Sequence, residues 1–336
     1  MKHLKTFLAF SLVFLLVFSL AACGETNETP RTPSAVAYSG KPISIARSTL
    51  AADFSLAKLF DDKTYTISDA DIAAAPMTTD LAVVPLWRVP QLLSETPDSV
   101  QILAVNTFGT ASLVTNGTSI GGVKDLDGKT ILVGEPTAKS EEALSRLMGT
   151  LKSELEILLD AAGVKATIED AIDEAVYGKV IDGSAQIAVL PEPYASLAVA
   201  QSSAEVAFTL TNAWTDAGKT QPLVENCIIA KTSFIESNPD GVQKVLADLR
   251  ASVEWVNLHP GEAVDLLIEK GLVDASVLQV NDEQSDRKQA AAKTQQAVDL
   301  IARANVVFME GSAMVGALGA MQMEPSIPDS AIYIAK

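Results

Sequence analysis

From Pro42 onward the chain alternates short apolar runs with stretches whose apolar residues recur at helical spacing. Pro42 to Arg47 reads as a strand, and Ser48 or Thr49 caps a helix carrying Leu50, Phe54, Ala57 and Leu59-Phe60 on one face. Further strands are predicted at Tyr65 to Ile67, at Leu81 to Val84, which stops at Pro85 before a short helix through Leu93, and at Val100 to Val105. The last is almost wholly apolar, as a strand covered by helices on both faces should be. The same order restarts at Lys129: a strand at Thr130 to Val133, a turn at Gly134 to Ser140, and a long helix with Leu144, Leu147, Met148, Leu151, Leu155 and Leu158 on one face. It ends near Gly163, a residue suited to the left-handed backbone past a helix end. A strand at Val164 to Ile168, a helix at Asp170 to Ile181 and a strand at Gln186 to Leu190 ending at Pro191 complete the unit.

Two similarly built α/β lobes follow from this repetition. Beyond Pro222 the pattern becomes a strand at Val224 to Ala230 followed by helices, including one that Asn238-Pro239 starts and His259-Pro260 breaks. Such a tail has no sheet of its own and is expected to pack on the first lobe. The chain would then cross between lobes twice, near Asn106 to Leu113 and near Leu223 to Ile229. The expected boundaries are 41–108 and 227–336 for lobe 1 and 109–226 for lobe 2.

The N-terminus changes where this chain is placed. Lys2, His3 and Lys5 precede the run Phe7 to Ala22, apolar apart from Ser11 and Ser19; its 16 residues fall short of the roughly 20 needed to span a bilayer. Residues 1–22 therefore read as a signal peptide. The sequence Leu20-Ala21-Ala22-Cys23 resembles the lipobox of bacterial lipoproteins, which implies lipidation at Cys23 and anchoring to the cell membrane on its extracytoplasmic face. An ordinary secretory signal with an incidental cysteine is the alternative. Residues 23–40, with few apolar groups, read as a flexible tether.

Charge and composition narrow the function classes. The formal charge is -17, and loss of Lys2 and Lys5 with the leader leaves -19, which argues against nucleic acid as a partner. The second of two cysteines, Cys227, lies in an apolar strand and reads as an inert packed thiol, and no disulfide is expected. Once His3 leaves with the signal, His259 at a helix end is the remaining histidine, so neither a catalytic triad nor a His/Cys metal site can be assembled. Gly128-Lys129-Thr130 invites a phosphate-loop reading, but position 123 is Val and the segment leads into a strand. No cofactor, no metal and no enzymatic activity are expected, though carboxylates can bind a hard cation.

Several segments, taken together, resemble a family: the lipobox, Gly128 to Val133, Leu190-Pro191-Glu192-Pro193-Tyr194, Ile229 to Pro239, and Ile327 to Tyr333. They look like ABC-transporter substrate-binding lipoproteins of the nitrate, sulfonate, taurine and thiamine-precursor type. The resemblance implies a two-lobed α/β fold of the type II periplasmic-binding-protein kind with a hinged interlobe cleft. It further implies a monomer that takes a small-molecule solute (sulfonate, nitrate, carboxylate or pyrimidine-like heterocycle) to an ABC permease and its ATPase. A ligand-sensing or partner-binding surface lipoprotein of the same fold is the alternative. Ala46-Arg47-Ser48-Thr49 departs from the family by lacking the glycine or aromatic residues often found after the first strand.

In open α/β sheets ligands sit beyond the carboxyl ends of the strands, where helix N-termini present backbone N–H groups. Ser48, Thr49, Trp87, Thr137, Lys139, Ser140, Glu192 and Tyr194 occupy such ends and are the candidate ligand-binding residues. Thr137 and Ser140 can hold an oxyanion or ring carbonyl with charge from Lys139, or serve as caps alone; Glu141 and Glu142 offset that charge. Trp87 and Tyr194 can sandwich a flat ligand or pack in the core. Glu192 can accept hydrogen bonds from an amine or cap the next helix. Trp214 and Trp255 read as core residues.

Overall fold

In the computed structural model the described residues are 36–47, 50–69, 76–135, 150–278, 286–321 and 327–334. The expectations at Cys23, Ser48, Thr49, Thr137, Lys139 and Ser140, and the helix positions Leu144, Leu147 and Met148, lie outside them. Along the chain the strands are β1 (Ile43–Ala46), β2 (Tyr65–Ser68), β3 (Leu81–Pro85), β4 (Val100–Phe108), β5 (Ala111–Thr115), β6 (Thr130–Glu135), β7 (Thr167–Ile172), β8 (Ile187–Pro191), β9 (Glu205–Thr209), β10 (Val224–Lys231) and β11 (Val306–Met309). The helices are α1 (Leu50–Asp53), α2 (Arg88–Glu95), α3 (Thr150–Ala162), α4 (Asp173–Ile181), α5 (Tyr194–Gln201), α6 (Leu210–Asp216), α7 (Thr232–Ser237), α8 (Pro239–Leu258), α9 (Pro260–Glu269), α10 (Asp286–Ala304) and α11 (Gly311–Ala320).

The strands form two sheets, ordered β11-β4-β10-β3-β1-β2 and β7-β6-β8-β5-β9. β1 is parallel to β2 and β3, β6 is parallel to β7 and β8, and β10 and β5 run antiparallel to their neighbours. Period-two alternation explains why β3 is buried at every position. Leu81 and Val83 point to a core completed by Val242, Val245 and Leu249 of α8, while Ala82 and Val84 point to one completed by Val89 and Leu92 of α2 and Met314 and Leu318 of α11. The second sheet repeats the arrangement. Ile131, Val133 and Val189 meet Leu151, Leu155 and Leu158 of α3, and Ala188 and Leu190 meet Val176 and Val180 of α4.

The helix α3 ends as its sequence suggests: Gly163 takes φ +67, and Val164 N donates to Leu159 O at 2.9 Å. The C-terminal tail adds a strand that the sequence does not announce, since β11 pairs antiparallel with β4 at the edge of the first sheet. Four apolar residues directly after a helix look like its continuation; positive φ at Asn305 ends the helix and turns the chain into the strand. The strand expected at Val164 to Ile168 instead runs Thr167–Ile172 and is largely solvent-facing, because it is the outer strand of its sheet and carries little apolar signal.

The chain passes from the first sheet to the second after Phe108 and returns at Val224. The two passages are adjacent, with Gly109 N donating to Leu223 O at 2.8 Å. A Cβ on Gly109 would lie 2.8 Å from Leu223 Cδ2 and 2.9 Å from Thr211 Oγ1, so a larger residue there would have to displace both side chains.

Candidate functional site

The strand pairing decides where the reactive edges lie. β3 and β4 both run antiparallel to β10, and Ala111 at the start of β5 pairs with Pro191 at the end of β8. The carboxyl ends of the parallel strands in both sheets therefore meet at the two crossovers. On the first sheet these ends are Ala46-Arg47, Ser68-Asp69 and Pro85-Leu86-Trp87; on the second they are Glu135, Ile172-Asp173 and Pro191-Glu192.

The crossovers are pinned by a buried carboxylate. Glu225 accepts a hydrogen bond from Thr110 Oγ1 at 2.6 Å and another from the Thr110 backbone N–H, and its own carbonyl accepts from Leu86 N at 2.7 Å. Burial pushes the Glu225 carboxyl up to about 7 against the lowering effect of those donors. At the end of β6 the buried Glu135 accepts from Lys152 N at 2.9 Å and Leu151 N at 3.3 Å, at the start of α3. One turn along the same helix Glu154 is 7% exposed, and its Oε2 has no hydrogen-bond partner. Burial, then the charges of Glu225 and Glu135, hold Glu154 well above the ordinary carboxylate range.

At the end of the neighbouring strand β8 a cation enters. Glu192 is fully buried; its Oε2 accepts from Ser196 N at 3.1 Å, which caps α5, and its Oε1 accepts from Arg303 Nε at 2.5 Å. Arg303 Nη2 also donates to Ser196 Oγ at 2.5 Å. Because Arg303 lies at the end of α10 and Glu192 follows β8, this pair ties the C-terminal helices to the second sheet. Leu197 of α5 packs with Val256, Leu267 and Leu300 beside it, and Asn305 Nδ2 donates to Thr211 Oγ1 at 3.2 Å.

Of the expected site residues, Trp87 is half-buried at the end of β3, and its indole nitrogen is buried without a hydrogen-bond partner. Tyr194 opens α5 and its ring contacts Tyr177, centroids 5.5 Å apart and tilted 45°, while burial pushes its hydroxyl up to about 12. After β1, Arg47 pairs with Asp53 at 2.6 Å and with Asp69. Sequence reasoning missed Arg303, Glu135, Glu154, Glu225 and Thr110. The available signal was a charged residue on an otherwise apolar pattern: Glu154 sits on the stripe of Leu151, Leu155 and Leu158, and Glu225 sits inside the apolar strand from Val224.

Other features lie elsewhere. Trp214 is buried and Trp255 is partly buried under Lys58, whose Nζ is 4.6 Å from its ring centre. The His259 ring stacks on Trp255 at 5.7 Å, and Cys227 is buried with its thiol raised by desolvation. A groove of about 690 Å³ lined by Lys124, Leu158, Phe208 and Asp216 sits at the other end of the second sheet, before β6 and after α3. Among the described residues no cluster of three or more His, Cys, Asp or Glu side chains is placed to hold a metal ion, and no helix is long and apolar enough to cross a membrane.

No protein-family model matches the sequence, and a comparison with curated proteins finds no match. Solved structures do match. An ABC transporter structure from Parabacteroides distasonis aligns with a TM-score of 0.66 at 16% identity, over 88% of this chain and 100% of that one. The alkanesulfonate-binding protein SsuA from Xanthomonas axonopodis pv. citri, bound to MOPS, aligns with a TM-score of 0.58 at 12% identity, over 89% and 100%. The ligand-binding component of an ABC-type import system from Staphylococcus aureus, with zinc bound, gives 0.55 at 13%, over 88% and 97%. The two sheets, with their facing strand ends and paired crossovers, thus form the type II periplasmic-binding-protein fold found in these ABC-transporter proteins.

Proposed function

We propose that the chain is an extracytoplasmic solute-binding lipoprotein that captures a small molecule between two lobes and delivers it to an ABC permease and its ATPase. The observation that carries this reading is the meeting of both sheets' carboxyl strand ends at two adjacent crossovers. A solute bound there touches both lobes only when they are closed, so its binding free energy drives closure and closure is what the permease reads. Residues 41–108 and 227–336 make lobe 1 in this reading, and 109–226 make lobe 2.

Ser48, Thr49 and Trp87 contact the solute from lobe 1, and Thr137, Lys139, Ser140 and Tyr194 from lobe 2; Glu192 enters by ordering Arg303 between them. The activity is binding without conversion. His259 is occupied with Trp255, and the buried, high-pKa thiol of Cys227 is a poor nucleophile, which together support that view. Lipid on Cys23 and the tether 23–40 hold the monomer at the outer face of the membrane.

Two measurements test this. Melting of the chain from residue 24 is followed against sulfonates, nitrate, carboxylates, amines and flat heterocycles; a ligand at 100 times its dissociation constant adds about 2.7 kcal/mol, on the order of 5 °C for a chain of this length. Trp87→Ala should abolish the shift of any hit, whereas a hit that shifts this variant like wild type removes the end of β3 from the site. Chemical conversion of the hit on incubation would return the chain to the enzymes. For the anchor, wild type should sediment with membranes and Cys23→Ser should remain unprocessed or be released; identical fractionation of the two contradicts lipidation.

A further inference from the structure

We infer that helix α5 is a latch: it clasps the second lobe onto the C-terminal helices of the first and holds the chain closed without a solute, with Arg303 as the residue that secures it. This rests on the capture reading above and adds its regulation. Polar contacts join the two lobes in series along this helix. Beside the crossovers Asn305 Nδ2 donates to Thr211 Oγ1 at 3.2 Å. At the start of α5 Arg303 donates to the buried Glu192 and to Ser196 Oγ. At its end Gln201 Nε2 donates to Ser276 Oγ at 2.9 Å, while Gln201 Oε1 accepts from the Tyr177 hydroxyl at 2.7 Å. Between these contacts Leu197 enters an apolar cluster whose other buried members, Val256, Leu267, Val277 and Leu300 among them, all belong to the first lobe.

The contact has the make-up of one that opens. Its apolar seat on the second lobe is a single buried leucine with Tyr177 and Tyr194 at its edge, and the Gln201 to Ser276 bond is exposed. Polar interfaces of this kind between parts of one chain permit relative motion. Opening exchanges the charge-assisted Arg303 to Glu192 bond for water on both groups, so this pair sets how far the balance lies toward the clasped form. The helix also has leverage. It begins beside the crossovers, where Pro191 pairs with Ala111, and Ser203 just past its end meets Asn116 beyond the far end of β5. A rotation about the crossovers therefore parts Gln201 from Ser276 further than Thr211 from Asn305. Because a solute enters only when the lobes part, the open fraction scales the affinity that the chain displays.

Thiol labelling of the chain from residue 24, with no solute present, tests the latch. Leu197→Cys places a thiol in the seat, and a maleimide reaches it when α5 lifts from the first lobe. Labelling should be slow in the otherwise wild-type chain. It should be about tenfold or more faster when Arg303→Met and Glu192→Gln are added together, a pair of changes that keeps most of the bulk, leaves no buried charge unpaired and removes one hydrogen bond between charged groups. Cys227, buried in β10, is the control: it must stay unlabelled over the same time, which shows that the lobes part while the chain remains folded. Equal, slow labelling in both backgrounds overturns the latch, because the contact is then permanent packing. Equal, fast labelling overturns it too, because the lobes then rest apart. Small-angle scattering of the wild-type chain gives a second measurement: a curve matching the compact structure supports the latch, and a more extended one overturns it. None of these outcomes involves a solute, so a failed latch leaves capture standing, and capture itself is judged by the melting screen above.

Discussion

Two buried glutamates on the second lobe's side of the crossovers have opposite fates. Glu192 receives a helix N–H and a guanidinium that arrives from α10, so its charge is matched within the protein. Glu154, with the same side chain and similar burial, faces two further carboxylates and keeps an oxygen without a donor. The first arrangement uses its charge to join distant parts of the chain; the second holds a carboxyl whose charged form its surroundings disfavour. Burial alone therefore does not say what a carboxylate is for. What the surrounding elements bring to it does.

The comparison breaks most visibly at Arg303. Arg303→Ala strands Glu192 without its cation and should cost about 3 kcal/mol or more in chemical denaturation, as removal of one partner of a buried pair does. Adding Glu192→Gln to that variant should recover much of the loss. A loss within about 0.5 kcal/mol of zero would show that the pair is idle, as exposed pairs commonly are.

A smaller effect separates the two glutamates by pH. Carboxyls raised by folding bind more protons in the native than in the unfolded state, so their contribution to stability is greatest at low pH and is lost as pH rises from the ordinary carboxylate range through their folded values. For Glu225 that loss runs from the ordinary carboxylate range up to its folded value of about 7 and levels off above it, and Glu154 acts in the same direction. Asp53, pushed up to about 7 by burial against the pull of Arg47, adds a similar slope from the first lobe. Glu154→Gln should therefore match wild type near pH 5 and exceed it by about 1–2 kcal/mol near pH 8, the scale of one unsatisfied buried acceptor. Unfolding free energies measured across that interval decide it; parallel curves for the two proteins would mean that Glu154 is already matched in the folded state.

The secondary structure was legible where one face or both faces of an element are apolar. β3 and β8 show as runs ending in proline because helices cover both of their faces, and α8 shows through Val242, Val245, Leu249 and Val256 on one stripe. β5, β9 and β11 did not show, and β7 showed only with shifted bounds. β7 and β9 are outer strands with mixed, partly solvated sequences, and β5 is a five-residue strand lying beside one of them. At the site, Trp87, Glu192 and Tyr194 were reachable because each directly follows a recognisable strand. Their partners were not: Arg303 reaches Glu192 across 111 positions and Glu225 reaches Thr110 across 115.

Local periodicity and turn residues were enough to establish two α/β units, since those signals act within a few residues of one another and survive without any knowledge of long-range pairing. Which carboxylate meets a cation, which keeps an oxygen without a donor, and why Gly109 is crowded were settled by sheet order and by the antiparallel return of β10. The physical reason is that charge compensation and close packing depend on distance in space, and the pairing that brings positions 110 and 225, or 192 and 303, together is a property of the assembled sheets.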